Sequence, residues 1–205
     1  MPDRAVSLAP PAGGTTDDRR TAILTAVARV IARDGAEGLR MAAVAREAGV
    51  SSALLHYHFD TREELIRQAF DLHDRRAAEA LALRLAEIED PVERIRGQFA
   101  QQLSDDPAVR ESWVIWAEMQ RLALFHPDVR ASVVDRSLRW VGSIAELIGD
   151  AQAAGRISPD LDAAEAALRL AAFADGLGEY VLIDAVPRAE ARRLLDTVLG
   201  EVLGL

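Results

Sequence analysis

The stretch Arg40–Leu65, RMAAVAREAGVSSALLHYHFDTREEL, constrains the fold more than any other part of the chain. Met41, Val44, Ala45 and Ala48 give an apolar face at helical spacing. Gly49 ends that helix, because glycine enters the left-handed region without a Cβ penalty. Val50 plugs the turn, and Ser51 has a hydroxyl suited to cap the next helix. That helix, Ser52 to Phe59, turns Leu55 and Phe59 inward at i, i+4. It leaves Ser52, Ala53, His56, Tyr57 and His58 outward. Two short helices at a tight turn, the second with small and hydrogen-bonding side chains on its free face, suit the DNA major groove.

The rest of the chain reads as helix throughout, an all-α fold of about nine helices. A first helix runs from about Asp17 to Asp34, with Ile23, Leu24, Val27, Val30 and Ile31 as its apolar stripe. After the two short helices, Thr61 opens a long helix with a capping box that includes Glu64. Pro91, Pro107, Pro127 and Pro187 open four more, and Asp162 caps another. Three regions follow: an N-terminal arm over residues 1–16, rich in Pro, Gly and small residues and read as disordered; a DNA-binding unit over 17–62; and a larger helical domain over 63–205.

Composition removes several function classes. The chain of 205 residues has no cysteine, which excludes disulfides and thiolate metal sites. No apolar run approaches the ~18 residues of a membrane span, and no secretory signal pattern is present, so a cytoplasmic protein without membrane contact is expected. His56 and His58, at i, i+2, do not share a helical face, so no metal site is expected there. No phosphate-cradling glycine loop or nucleophile motif occurs, and neither a cofactor nor enzymatic activity is expected. The net charge of −9 is unusual for a DNA binder. It is unevenly placed: residues 1–67 hold 9 acids and 9 arginines, whereas residues 68–205 hold 24 acids and 15 arginines. Phosphate contacts act locally, within a Debye length of ~8–10 Å, so an acidic body is compatible with a neutral DNA-binding end.

The positions Ala45, Ala48-Gly49-Val50-Ser51, Leu55, His58-Phe59 and Thr61-Arg62-Glu63-Glu64-Leu65 resemble the helix-turn-helix pattern of the TetR family of transcriptional regulators. Trp113–Glu118, Ala154-Gly155 and Ser158–Asp162 are similar to the branch that includes choline-responsive repressors of betaine synthesis. The resemblance implies a homodimer that binds a near-palindromic double-stranded operator through Arg40, Ser51, Ser52, Ala53, His56, Tyr57, His58 and Arg62. Arg40 stands where the family commonly has a capping Ser or Thr, a cap worth roughly 1 kcal/mol. The resemblance also implies a small-molecule effector inside the larger domain. Acidic and aromatic residues there favour a cationic or amphipathic one, with Phe70, Phe99, Trp113, Trp116, Gln120 and Glu179 as candidate contacts. Leu170, Phe173, Leu177, Leu194, Leu195 and Val198 are the candidate seam between two copies. A helical DNA-binding regulator without a small-molecule ligand, controlled by abundance or a protein partner, is the alternative reading.

Overall fold

The computed structural model describes residues 16–205. The arm expected over 1–16 lies outside the described residues except for Thr16, where the first helix begins. Nine helices and no strand occur among the described residues. They form two compact units that divide between His73 and Asp74, further along the chain than the boundary expected at 62/63. The reason lies in the long helix α4 (Arg62–Ala86), whose first turns bury Leu65, Ile66, Ala69 and Phe70 in the first unit.

The first unit contains α1 (Thr16–Asp34), α2 (Met41–Ala48), α3 (Ser52–His58) and the start of α4. Ile23, Leu24, Val27, Val30 and Ile31 are buried, as the stripe requires, together with Val44, Leu55 and Phe59. Gly49 has φ 66° and ψ 31°, and its N–H donates to the carbonyls of Ala45 and Arg46. Val50 N–H donates to Ala45 O at 2.9 Å, closing the turn. Ser51 Oγ then accepts from Leu54 N–H at 3.2 Å and starts α3. The capping box forms with its return bond one residue early: Thr61 Oγ1 accepts from Glu64 N–H, while the Glu64 carboxylate accepts from Asp60 N–H instead of Thr61 N–H.

The second unit contains the rest of α4, then α5 (Pro91–Gln102), α6 (Pro107–Ala123), α7 (Pro127–Ala153), α8 (Ala163–Leu182) and α9 (Arg188–Leu203). Asp90, Asp106 and Asp162 cap α5, α6 and α8 by accepting from the first free N–H groups. Glu93 N–H, the strongest of these contacts on Asp90, helps hold that carboxyl below the usual carboxylate range. α7 packs on α5, α6 and α8, and α8 packs on α9. Phe99, Ile144, Ile148, Leu170, Leu195 and Leu199 lie in their shared core. Buried Gln98 is satisfied within it, donating to Ser143 Oγ at 2.9 Å.

Glycine in α8 serves close packing at one position. A Cβ at Gly178 would fall inside the Trp113 ring of α6. Trp113 Nε1 meanwhile donates to Gln102 O at 2.9 Å, which fixes the indole from its other end. Gly178→Ala is therefore expected to displace the indole and destabilise the chain by ~1–3 kcal/mol, despite alanine's better helix propensity. Thermal unfolding followed by tryptophan emission checks this; an unchanged midpoint and spectrum would contradict the packing.

Candidate nucleic-acid interface and effector cluster

Seven residues are too few to make a stable isolated helix, so α3 depends on what it buries. Leu55 and Phe59 are 0% and 1% exposed. The opposite face, Ser52, Ala53, His56 and Tyr57, is exposed, as is the cap Ser51. Tyr57 is 79% exposed, the highest value among the large hydrophobic residues. The His58 ring is half-buried and meets Tyr57 edge-on, with centroids 5.3 Å apart. An exposed aromatic hydroxyl beside small residues on a rigidly docked helix is a surface able to approach base edges.

The arginines around α3 divide into two groups. Arg40, exposed at the start of α2, has extended backbone and provides no side-chain cap. Arg46, also exposed, was not singled out from the sequence, because α2's apolar pattern gives no information about its polar side. Neither has an ion-pair partner among the described residues. Arg62 differs from these two. Its guanidinium donates to Ala36 O and to Leu39 O, bonding it to the α1–α2 connection.

In the second unit a polar cluster forms where α4, α6, α7 and α8 each contribute a side chain. The Arg136 guanidinium lies over the Trp116 ring at 4.0 Å from the centroid. Its Nε donates to Asp74 Oδ1 at 3.1 Å, and Arg139 Nη2 donates to Asp74 Oδ2 at 2.9 Å. Gln120 Oε1 accepts from Trp116 Nε1 at 2.6 Å while its Nε2 donates to Glu179 Oε1 at 3.2 Å, an amide orientation set by these neighbours. Two buried polar atoms in the cluster have no hydrogen-bond partner, Arg136 Nη1 and Asp175 Oδ1. Burial pushes the Asp175 carboxyl up from 3.8 to about 6, against the pull of Arg136 and with repulsion from Glu179 adding to the rise.

Of the expected effector contacts, this cluster brings together Trp116, Gln120 and Glu179. The others lie elsewhere. Phe99 is fully buried in the apolar core, edge-on to Trp140 at 5.8 Å between centroids. Phe70 is buried and belongs to the first unit. Trp113 packs on Gly178 and lines a shallow open cleft with Gln102, Arg110 and Arg188. Spacing of i, i+3 put Trp113 and Trp116 on one face, but the glycine on α8 draws Trp113 to a different neighbour. Sequence reasoning missed Arg136 and Asp74, which only tertiary contact brings beside Trp116.

The six residues expected at a seam between copies divide in two. Leu170, Leu177 and Leu195 are buried in the chain's own core, and Phe173, Leu194 and Val198 pack half-buried at its edge. The apolar residues left exposed on α8 are Ala164, Leu168, Ala172 and Tyr180, four residues apart through Gly176, with exposed Ile183 at its C-cap.

A helix-turn-helix with an exposed face, followed by a larger helical domain, is the architecture of a DNA-binding transcriptional regulator. The comparisons agree. Residues 23–69 match the model of bacterial regulatory proteins of the tetR family, and residues 91–204 match the BetI-type transcriptional repressor C-terminal domain. The chain belongs to the TetR family, with a BetI-type C-terminal domain. It is a transcriptional regulator rather than an enzyme. It is 30% identical over 162 residues to the regulator BetI of Agrobacterium fabrum, covering 78% of this chain and 74% of that one. It is 26% identical over 188 residues to the regulator UidR of Escherichia coli, covering 90% and 92%. Among solved structures, a regulator from Saccharomonospora viridis in complex with choline is 30% identical, with a TM-score of 0.80 over 88% of this chain and 95% of that one. A TetR-family regulator from Rhodococcus sp. is 32% identical, with a TM-score of 0.81 over 91% and 99%. No described helix is long and apolar enough to cross a membrane.

The raised Asp175 carboxyl makes stability depend on pH. The folded chain retains a proton there that the unfolded chain releases, so this group's contribution falls as pH rises from about 4 through about 6, then stays constant. Asp175→Asn is expected to match the parent near pH 4 and to exceed it above pH 6 by up to ~3 kcal/mol. Denaturant titrations of both proteins across this range check it; a difference that does not vary with pH would contradict it.

Proposed function

We propose that the chain is a repressor that binds a near-palindromic operator as a homodimer and is released by a small organic cation. The observation that carries the DNA half of this reading is the exposed face Ser52, Ala53, His56 and Tyr57 on a helix anchored by Leu55 and Phe59. Ser51, with the half-buried His58 at the far end of α3, borders the same surface. Arg40 and Arg46, exposed and without acidic partners among the described residues, supply phosphate contacts that position the helix without reading sequence. Two copies joined along the apolar stripe of α8, at Leu168, Ala172, Tyr180 and Ile183, with Leu194 and Val198 of α9 at its edge, provide a pair of reading helices for half-sites about one turn apart, ~34–36 Å.

The effector half rests on the cluster around Trp116. Buried polar atoms are normally partnered, so Asp175 Oδ1 and Arg136 Nη1 favour a domain that receives a polar guest over one filled solely for stability. An indole face with Asp175 and Glu179 in its surroundings suits a cation. The choline complex of the Saccharomonospora viridis relative supports the same class. The ligand-independent alternative has no comparable observation in its favour.

Gel-shift titrations test the DNA half. Tyr57→Ala is expected to weaken operator binding roughly 10-fold, as loss of a base-edge or backbone anchor costs ~1–3 kcal/mol. Arg46→Ala is expected to weaken all DNA binding alike and lower the salt slope by about one unit. Parental operator affinity in Tyr57→Ala would remove the assigned reading face.

A further inference from the structure

The Trp116 face already carries a cation, and that cation belongs to the chain. Arg136 lies 4.0 Å above the indole and within the field of Asp175, with its side chain 20% exposed. This is the contact an organic cation would seek, an aromatic face with a carboxylate in reach. Yet Arg136 completes it poorly. Its Nη1 is buried without a partner, and Asp175 Oδ1, also buried, accepts from nothing. A guanidinium has five donors in a fixed fork, and here the backbone position of α7 lets only part of that fork find acceptors.

The other end of Arg136 holds α4. Its Nε pairs with Asp74, which Arg139 also engages from a far more exposed position, 55% against 20%. Beyond Asp74, residues 75–80 of α4 are all exposed, and the helix is next buried at Leu85. Asp74 is thus one tie between this half of α4 and α7, and its more sheltered strand is Arg136.

Resting on the small-cation reading above, we propose that Arg136 is a built-in competitor for the effector: a small organic cation that takes the place over Trp116 and beside Asp175 displaces the guanidinium and thereby gives up its ion pair with Asp74 on α4. Effector affinity is then set partly by the chain's own arginine, and occupancy is converted into a weaker hold on α4, left to the exposed Arg139 alone. Arg139 keeps Asp74 paired after the exchange, so no buried carboxylate is stranded, which makes the exchange reversible.

Titration calorimetry of the full chain at pH 7.5 with choline and with tetramethylammonium, for the parent and Arg136→Met, tests this. Methionine keeps an apolar stem over the indole and removes the competing charge. The variant is expected to bind both probes about 10-fold more tightly, a factor between those of an exposed and a fully desolvated cation–π contact. Hydrogen exchange over residues 74–86 is expected to quicken when choline saturates the parent, and to be fast already in the variant without choline. If Arg136→Met does not fold, Arg136→Lys serves in its place, since an ammonium lacks the fork that reaches Asp74; a gain of about 3-fold is then expected. Parental binding with an unchanged or weaker variant would overturn the competitor while leaving the small-cation reading intact, as would exchange in α4 that ignores choline. Silence of parent and variant alike toward both probes, with operator binding retained, would refute the small-cation reading and this inference with it.

Discussion

The DNA-binding end depends on the burial of Leu55 and Phe59. A seven-residue helix cannot persist by its own hydrogen bonds, so the free face of α3 has a fixed position only because these two side chains hold the opposite face. Gly49 and Ser51 do the rest from the ends. The left-handed glycine directs the chain out of α2, and the serine hydroxyl satisfies a free N–H where α3 begins. Nothing in this arrangement needs a strongly basic domain. With the arginines of α2 exposed at its ends, a locally neutral unit can engage phosphates while the acidic remainder of the chain weakens nonspecific association.

The second unit uses charge differently. A buried arginine is expensive unless its partners are in place, and Arg136 has three kinds of partner: a π face, a shared carboxylate and a nearby acid. The leftover, unpartnered atoms show that the cluster is not optimised for stability. An apolar replacement would pack such a position at lower cost, so the cluster makes sense as part of a responsive site rather than as part of the scaffold. The apolar core of Phe99, Ile144, Ile148 and Leu170 beside it provides the rigidity that lets one side chain's displacement be felt elsewhere.

Much of this was legible in the sequence because helix ends carry chemical marks. Asp90-Pro91, Asp106-Pro107, Asp162 and Pro187 fixed helix starts to within a residue or two, and Gly49 fixed the turn. The exposed face of α3 was legible because Leu55 and Phe59 leave few other assignments for so short a helix. What failed was phase and partnership. α8 is apolar on nearly every side, so periodicity could not say which leucines face inward, and Leu170 and Leu177 were placed in a seam when the core claims them. Trp113 and Trp116 share a spacing but not a neighbour, because Gly178 makes room for only one of them. Arg62 and Arg136 take their roles from carbonyls and carboxylates tens of residues away, which no local pattern records.

The central claim is that α3 reads a defined DNA sequence in two symmetric copies. Its most direct test is selection of genomic fragments by the purified protein, followed by sequencing of what is retained. The account predicts a short inverted repeat with half-sites about one helical turn apart. Retention without a shared sequence, or a shared sequence lacking two-fold symmetry, would contradict it.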